Sequence, residues 1–387
     1  MRCLPALFLA SILAAQPTPD QLARIRRLMQ ERLKHLANLT CLETIHRSAS
    51  GRPGRSVGSD TLRLEVAFVN GKELFSRLNA GRFDERGVGQ FGKGGAIESG
   101  LFATLIRYIF GVQGPVFRYS GDEILHGRPT VRYHYSVPLQ ASGYQIAVGP
   151  KRATVGFSGS FWADAETLQV LRLHVRADHI PIGLGLAESV QTIDYGRVLI
   201  NEAELFLPER AELILTQLNG GQRHNRTDFS HWLQYVGEST LKFDDAPSAE
   251  KAESAIELPA GLSLDTRLET AIGAGRSRSG DRITAVVEKE VRSGGRVVIP
   301  AGAGLWGRIR SIEKAEDGFE LALEFSELRI AGRKKRFFGR LSDVKSPGGA
   351  VRKRKDEGLL GIGVLQVRGD GTDFPRDLRM TWKMSDP

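Results

Sequence analysis

The chain has 387 residues, more than one small core accommodates, which points to two or three domains. Hydrophobic residues make up 41% and charged residues 26%, a globular composition that excludes a membrane-spanning bundle and a disordered tail protein. Two cysteines exclude a disulfide-stapled scaffold, and the formal charge of +9 favours anionic partners.

The first element reads as an address. Leu7 to Ala15 is an apolar run behind Arg2, too short to span a bilayer that needs roughly 20 residues. It matches the core of a secretory signal, with small residues at Ala14 and Ala15 before Pro17, so residues 1–15 are predicted to be removed on export. Cys3 leaves with them. Cys41 then stands alone, in phase with Leu39 and Ile45 of a strand, and reads as a buried thiol. No later segment has the length and apolarity of a transmembrane helix, so a soluble exported protein of the periplasm or cell envelope is expected.

A helix follows. Thr18-Pro19-Asp20-Gln21 has capping-box spacing with proline at the first helical position. Leu22, Ile25, Met29, Leu33 and Leu36 form one apolar stripe, and Asn38 ends it. Period-two strands come next. Leu62, Leu64, Val66 and Phe68 alternate with polar residues, and Asn70-Gly71 turns the chain back through Lys72 to Leu78. Val131, Tyr133, Tyr135 and Val137 alternate with Thr130, Arg132, His134 and Ser136. Phe157 and Phe161 share a face across Gly159, Gln169 to Val175 is a further strand, and Ala211 to Leu218 runs into Asn219-Gly220-Gly221. Such short connections predict antiparallel pairing.

One segment breaks the strands. After a glycine-rich loop from Gly87 to Gly95, Ser99 can cap a helix with the face Leu101, Phe102, Leu105, Ile106, Ile109 and Phe110, charged only at Arg107. Burying those six side chains would contribute roughly 10 kcal/mol gross. The segment is therefore expected inside the first domain, on the concave face of the sheet, and these six residues are the candidate lid or ligand contacts.

Residues 244–257 are locally acidic and lack aromatics, the composition of a linker between residues 16–243 and 258–387. Beyond it Leu258-Pro259-Ala260-Gly261 is repeated as Ile299-Pro300-Ala301-Gly302, each a turn before a strand. Leu262 to Leu268 and Phe319 to Phe325 alternate, and Val364 to Val367 and Leu378 to Trp382 return as the last strands. A small closed barrel would remove the edges that such strands expose. Arg333 to Arg336, Arg352 to Lys355 and the excursion from Lys345 onward read as solvated basic loops.

Catalytic signals are poor. Gly156-Phe157-Ser158-Gly159-Ser160 has serine where a nucleophile elbow has its last glycine, and it lies in a strand. The eight histidines contain no H-E-x-x-H, and Asp178-His179 reads as a strand exit rather than a metal site. The Gly89–Gly95 stretch lacks the spacing of a phosphate-binding loop. Glu43 and Glu65 cannot be placed across one site by sequence. No catalytic, metal-binding or cofactor-binding residue is nominated, no cofactor is implied, and nucleic acid is not an expected partner because the cations are not interleaved with stacking aromatics.

The order of signal, capped helix, strand and Asn-Gly hairpin resembles the periplasmic lipoprotein carriers and the N-terminal domain of envelope-stress sensors that bind anti-sigma factors. Phe161-Trp162-Ala163-Asp164-Ala165-Glu166-Thr167-Leu168 before Val170 to Leu173 is similar to their turn into a strand. That resemblance spans roughly residues 18–243. It implies an antiparallel half-barrel closed by helices, holding acyl chains or a hydrophobic peptide, with Leu101 to Phe110 in the place of the lid. The second region, by its LP-x-G turn, Gly280-Asp281 and IP-x-G turn, resembles the barrel module of conjugative, type IV-like secretion channel subunits.

The expected fold is mainly β, an antiparallel half-barrel with covering helices plus a second small β-barrel. The expected function is non-catalytic binding of a lipid, a lipoprotein or another hydrophobic ligand. The alternatives are an envelope scaffold docking onto a protein partner and an unrecognised hydrolase.

Overall fold

The computed structural model describes residues 19–35, 39–52, 55–69, 72–77, 83, 101–148, 151–200, 203–234, 259–273, 276–315, 318–346, 350–354, 359–368, 374 and 377–385. The expected signal at residues 1–15, the expected turn at Asn70-Gly71, the glycine-rich stretch Gly87–Gly95, the expected linker at 244–257 and part of the stretch Lys345–Lys355 lie outside the described residues.

Helix α1 is Pro19–His35, and its Ile25 and Met29 are fully buried. The strands that follow are β1 (Leu39–Arg52), β2 (Arg55–Val69), β3 (Lys72–Arg77), β4 (Val116–Leu125) and β5 (Arg128–Val137). A small hairpin, β6 (Gln145–Val148) with β7 (Lys151–Thr154), stands apart as its own two-stranded sheet. Then come β8 (Gly156–Asp164), β9 (Val170–Asp178), β10 (Leu186–Ile200), β11 (Ala203–Gln217) and β12 (Gln222–Gln234). Ten of these strands form one sheet in the order β3-β2-β1-β12-β11-β10-β9-β8-β5-β4. Each described pair in it is antiparallel, as short connections require.

Alternation decides which face is covered. Opposed residues of an antiparallel pair share a face, so one row crosses the sheet as Tyr119, Tyr133, Phe161, Leu173, Ile193, Ala211, Thr227, Ile45 and Leu62. This face carries the core against α1 and the 101–111 segment. The one-residue-shifted row, Arg118, His134, Ser160, His174 and Thr192, faces the other way.

The second sheet contains β13 (Ser263–Leu268), β14 (Arg282–Val287), β17 (Gly304–Ala315), β18 (Gly318–Ile330), β19 (Arg333–Arg336), β20 (Gly339–Lys345), β21 (Val351–Lys353), β22 (Ile362–Arg368) and β23 (Arg379–Met384). A separate hairpin joins β15 (Val291–Ser293) to β16 (Arg296–Ile299). The sheet runs β20-β23-β13-β14-β17-β18-β22-β21, and β20 packs back against β21 and β22, so it curls into a nearly closed barrel. Its core is built on Phe325, Phe337 and Trp382, whose rings meet edge to face. Arg333 to Arg336 corrects the loop expected there. It is a strand, because turn residues Ala331 and Gly332 fold it back onto β18, and Arg336 reaches Glu65 of the first sheet at 2.6 Å.

The two repeated turns have one backbone reason. Gly261 and Gly302 both sit at positive φ, +84° and +82°, two residues ahead of the start of β13 and β17, and nothing lies within 4 Å of a Cβ at either. Any penalty for a side chain there is therefore backbone strain alone. Gly302→Ala is expected to lower stability by about 1–2 kcal/mol, read as the shift of a urea-unfolding midpoint, and an unchanged midpoint would refute the account.

Charges bury where the barrel meets the first sheet. Arg308 donates to Glu209 at 2.6 Å and to Glu324, and Arg310 donates to Asp228 at 3.1 Å and to the carbonyls of Phe229 and Glu209. Glu324 also accepts from the His231 backbone N–H at 3.0 Å. His231 itself donates from Nε2 to the Phe337 carbonyl at 2.9 Å. Burial by itself would raise the Glu324 carboxyl, but Arg308 and Arg310 more than reverse this and hold it at about 2.

Candidate functional site

The cover over the first sheet is built from α1 and the 101–111 segment. The segment begins as helix α2 (Leu101–Ile106) and widens into a π-helical turn, Arg107–Gly111. That corrects the single α-helix expected to Phe110. The widened end presents two carbonyls to α1: Gln30 Nε2 donates to the Phe110 oxygen at 2.8 Å, and Arg26 donates to the Val112 oxygen at 3.4 Å. These are the orphan acceptors that any helix end must satisfy. Single-turn π segments often mark functional positions.

Of the six candidate lid residues, Leu105, Ile106, Ile109 and Phe110 have no exposed surface and belong to the core over the sheet. The side chains of Leu101 and Phe102 lie outside the described residues. Phe110 meets Phe161 edge to face at 5.2 Å and stacks near Phe117 at 6.3 Å. Phe161 in turn stacks on Tyr133 at 5.3 Å, so an aromatic cluster joins the segment to β5 and β8. Tyr133 donates its hydroxyl proton to Gln21 of α1 at 2.9 Å.

This covered face is not purely apolar. Arg32 of α1 is buried and donates to Gln169 Oε1 at 2.9 Å and to the Val170 carbonyl, with its guanidinium over the Tyr195 ring at 4.9 Å. Burial lowers its pKa to about 10, with Tyr195 acting weakly the other way. Glu43, opposite Leu64 and Phe229, shares this face. Burial first, and then the nearby Glu73, push its carboxyl well above the usual range. Cys41 is fully buried beside them, and burial with these carboxylates raises its thiol, the unreactive condition. A carboxyl among Cys41, Ile45 and Leu64 was not nominated from sequence, although the phase of Glu43 with Cys41 and Ile45 was the available signal. Glu65 lies on the opposite face, beside Leu42, and pairs with Arg336, so Glu43 and Glu65 do not form a site together.

The serine motif is strand throughout. Ser158 donates to Asp178 Oδ1 at 2.9 Å, while the buried Ser160 is the one within 2.7 Å of His134 Nδ1. Asp178 ends β9 and His179 follows it in a left-handed conformation, as a strand exit does. Among the described residues no group of three or more potential ligands could hold a metal ion, and no helix is long and apolar enough to cross a membrane.

No family model matches the chain, and no curated protein matches it. Solved structures with some likeness exist. A DUF1329 family protein from Desulfovibrio piger is 13% identical over 58% of this chain and 96% of its own, with a TM-score of 0.33. A putative outer membrane lipoprotein-sorting protein domain from Vibrio parahaemolyticus is 13% identical over 56% and 93%, with a TM-score of 0.32. A LolA superfamily protein from Nitrosomonas europaea is 7% identical over 56% and 97%, with a TM-score of 0.31. Likenesses this loose carry no function over to this chain.

Proposed function

We propose that the protein is an exported cell-envelope binding protein that holds a hydrophobic ligand or acyl chain between the first sheet and its helical cover, with residues 101–110 as the lid. In this reading residues 16–243 form the binding domain, residues 244–257 the linker, and residues 258–387 an accessory barrel. The observation that carries the reading is the chemistry of the cover. Leu105, Ile106, Ile109 and Phe110 are wholly buried on an aromatic sheet face, while the end of the segment hangs from α1 by two side-chain hydrogen bonds. Displacing such a segment would uncover an apolar surface of the kind that ligand pockets present.

The scaffold reading has one observation in its favour. In the described sheet β4 is the last strand, and it exposes Val116 and Ile124, so a partner strand could add to it.

A fluorescent fatty-acid probe separates the two. Wild type is expected to bind it saturably, and the variant carrying Leu105→Asp and Ile106→Asp is expected to lose binding while its β-type circular dichroism survives. Failure of wild type to bind sinks the carrier reading and leaves the scaffold. An unfolded double variant makes the segment core and removes the lid.

A further inference from the structure

We propose that the outer face of the first sheet, across β4, β5, β8 and β9, is a binding site for a phosphate ester carried on a small polar group such as glycerol or a sugar. This face is the reverse of the covered one and does not depend on the lid.

The site is a groove of about 510 Å³. That is within the usual range for small-molecule pockets, roughly 300–1,000 Å³, and larger than a bare ion needs. Two cross-strand rows make its floor: Arg118, His134, Ser160 and His174, and beside it Val116, Ser136, Ser158 and Arg176. An ordinary solvent-facing sheet surface mixes charges of opposite sign across strands. Here Arg118, Arg132 and Arg176 line the groove and no aspartate or glutamate does. The compensating carboxylates stand at the rim. Glu123 binds Arg132 at 2.7 Å and Trp162 at 2.6 Å, and Glu188 lies 3.3 Å from Arg176. Arg118 is exposed and has no carboxylate partner among the described residues.

The hydrogen-bond order sets which atoms remain to bind. Arg132 Nη2 donates to Ser160 Oγ at 3.5 Å, and Ser160 Oγ lies 2.7 Å from His134 Nδ1, which is also 3.4 Å from the Gly159 carbonyl. The guanidinium forks of Arg118 and Arg176 match phosphate oxygens. Ser158 spends its proton on Asp178, so its oxygen keeps lone pairs for a ligand hydroxyl. His174 is lowered first by burial and then by Arg132, Arg176 and Arg172, which registers the positive field on this face.

Titration calorimetry of the full-length protein with inorganic phosphate and with glycerol 1-phosphate tests the site, beside sedimentation with phosphatidylcholine vesicles with and without phosphatidylglycerol. Glycerol 1-phosphate is expected to bind saturably, and to weaken by about tenfold or more in the Arg118→Ala, Arg176→Ala variant at unchanged melting temperature. Bound phosphate should also shift the His174 titration upward by NMR in wild type and not in the variant. Binding only to phosphatidylglycerol vesicles, lost in the same variant, supports the site and makes a lipid headgroup its source. No binding to any of these probes at millimolar phosphate overturns the proposal, as does a variant that binds like wild type.

Discussion

Replacing Glu324 with alanine is expected to lower the unfolding free energy by about 3 kcal/mol at neutral pH and to split one urea transition into two. Glu324 Oε2 accepts from Arg308 Nε at 3.0 Å and lies 3.4 Å from Arg310 Nη1, while Oε1 takes the His231 N–H. All three side chains are buried. Removing one partner from a buried pair leaves a desolvated charge, which typically costs 3–5 kcal/mol. The lower end applies because Arg308 keeps Glu209 and Arg310 keeps Asp228. Splitting follows because the His231 bond joins the first sheet to the barrel, and because Glu324, from within the barrel, holds Arg308 and Arg310, whose other partners Glu209 and Asp228 lie in the first sheet. The pH dependence has a fixed sign. A carboxyl held at about 2 against an ordinary 4.5 contributes stability that is fully present above 4.5 and drains away as pH falls toward 2. His231, lowered by burial from 6.5, acts in the same direction, since below that value the unfolded chain takes up the proton more readily. An acid titration followed by fluorescence should therefore show the interface weakening below about pH 6.5 in wild type and losing its lower limb in Glu324→Ala. A variant with wild-type stability and one transition would sink this account.

Glu324 also shows where sequence reading stops. The alternation of Phe319, Leu321, Leu323 and Phe325 was enough to predict β18, and the same alternation assigns Glu324 and its neighbours to solvent. Glu324 is buried because the first sheet covers it there, and a period-two pattern carries no information about what lies on its polar side. Helix α1 was legible from proline at its first position and a three-four apolar stripe, both local signals. So were β2, β5 and β9, and the turn glycines of the repeat. The π-helical turn at Arg107–Gly111 has no such signal, because its widened geometry is completed by Gln30 and Arg26 about 80 residues away. The outer-face groove was half legible. Arg132, His134 and Ser136 were readable as one face of one strand, but their neighbours depend on a sheet order that places β8 beside β5 and moves the intervening β6–β7 hairpin into a sheet of its own.

Phe110→Ala is expected to accelerate amide hydrogen exchange of residues 105–111 by about a hundredfold or more, while strand amides of 157–163 keep their protection. The magnitude comes from the cavity. Phe110 is fully buried and makes its ring contacts with Phe117 and Phe161, and truncating such a ring typically costs about 3–5 kcal/mol, where each 1.4 is tenfold. The location comes from the wiring. Phe161 keeps its stack on Tyr133 and its place in the β5–β8–β9 ladder when Phe110 is shortened, so the strands lose one contact of many. The 101–111 segment has no ladder of its own and depends on its apolar face and on the Gln30 and Arg26 hydrogen bonds. A lid must open from the low-stability end of the structure, whereas a core helix unfolds with the whole. Exchange that rises in 105–111 alone supports the gate. Equal loss of protection in 157–163 would make the segment part of the global core, and the lid reading would then fail even if a fatty-acid probe binds.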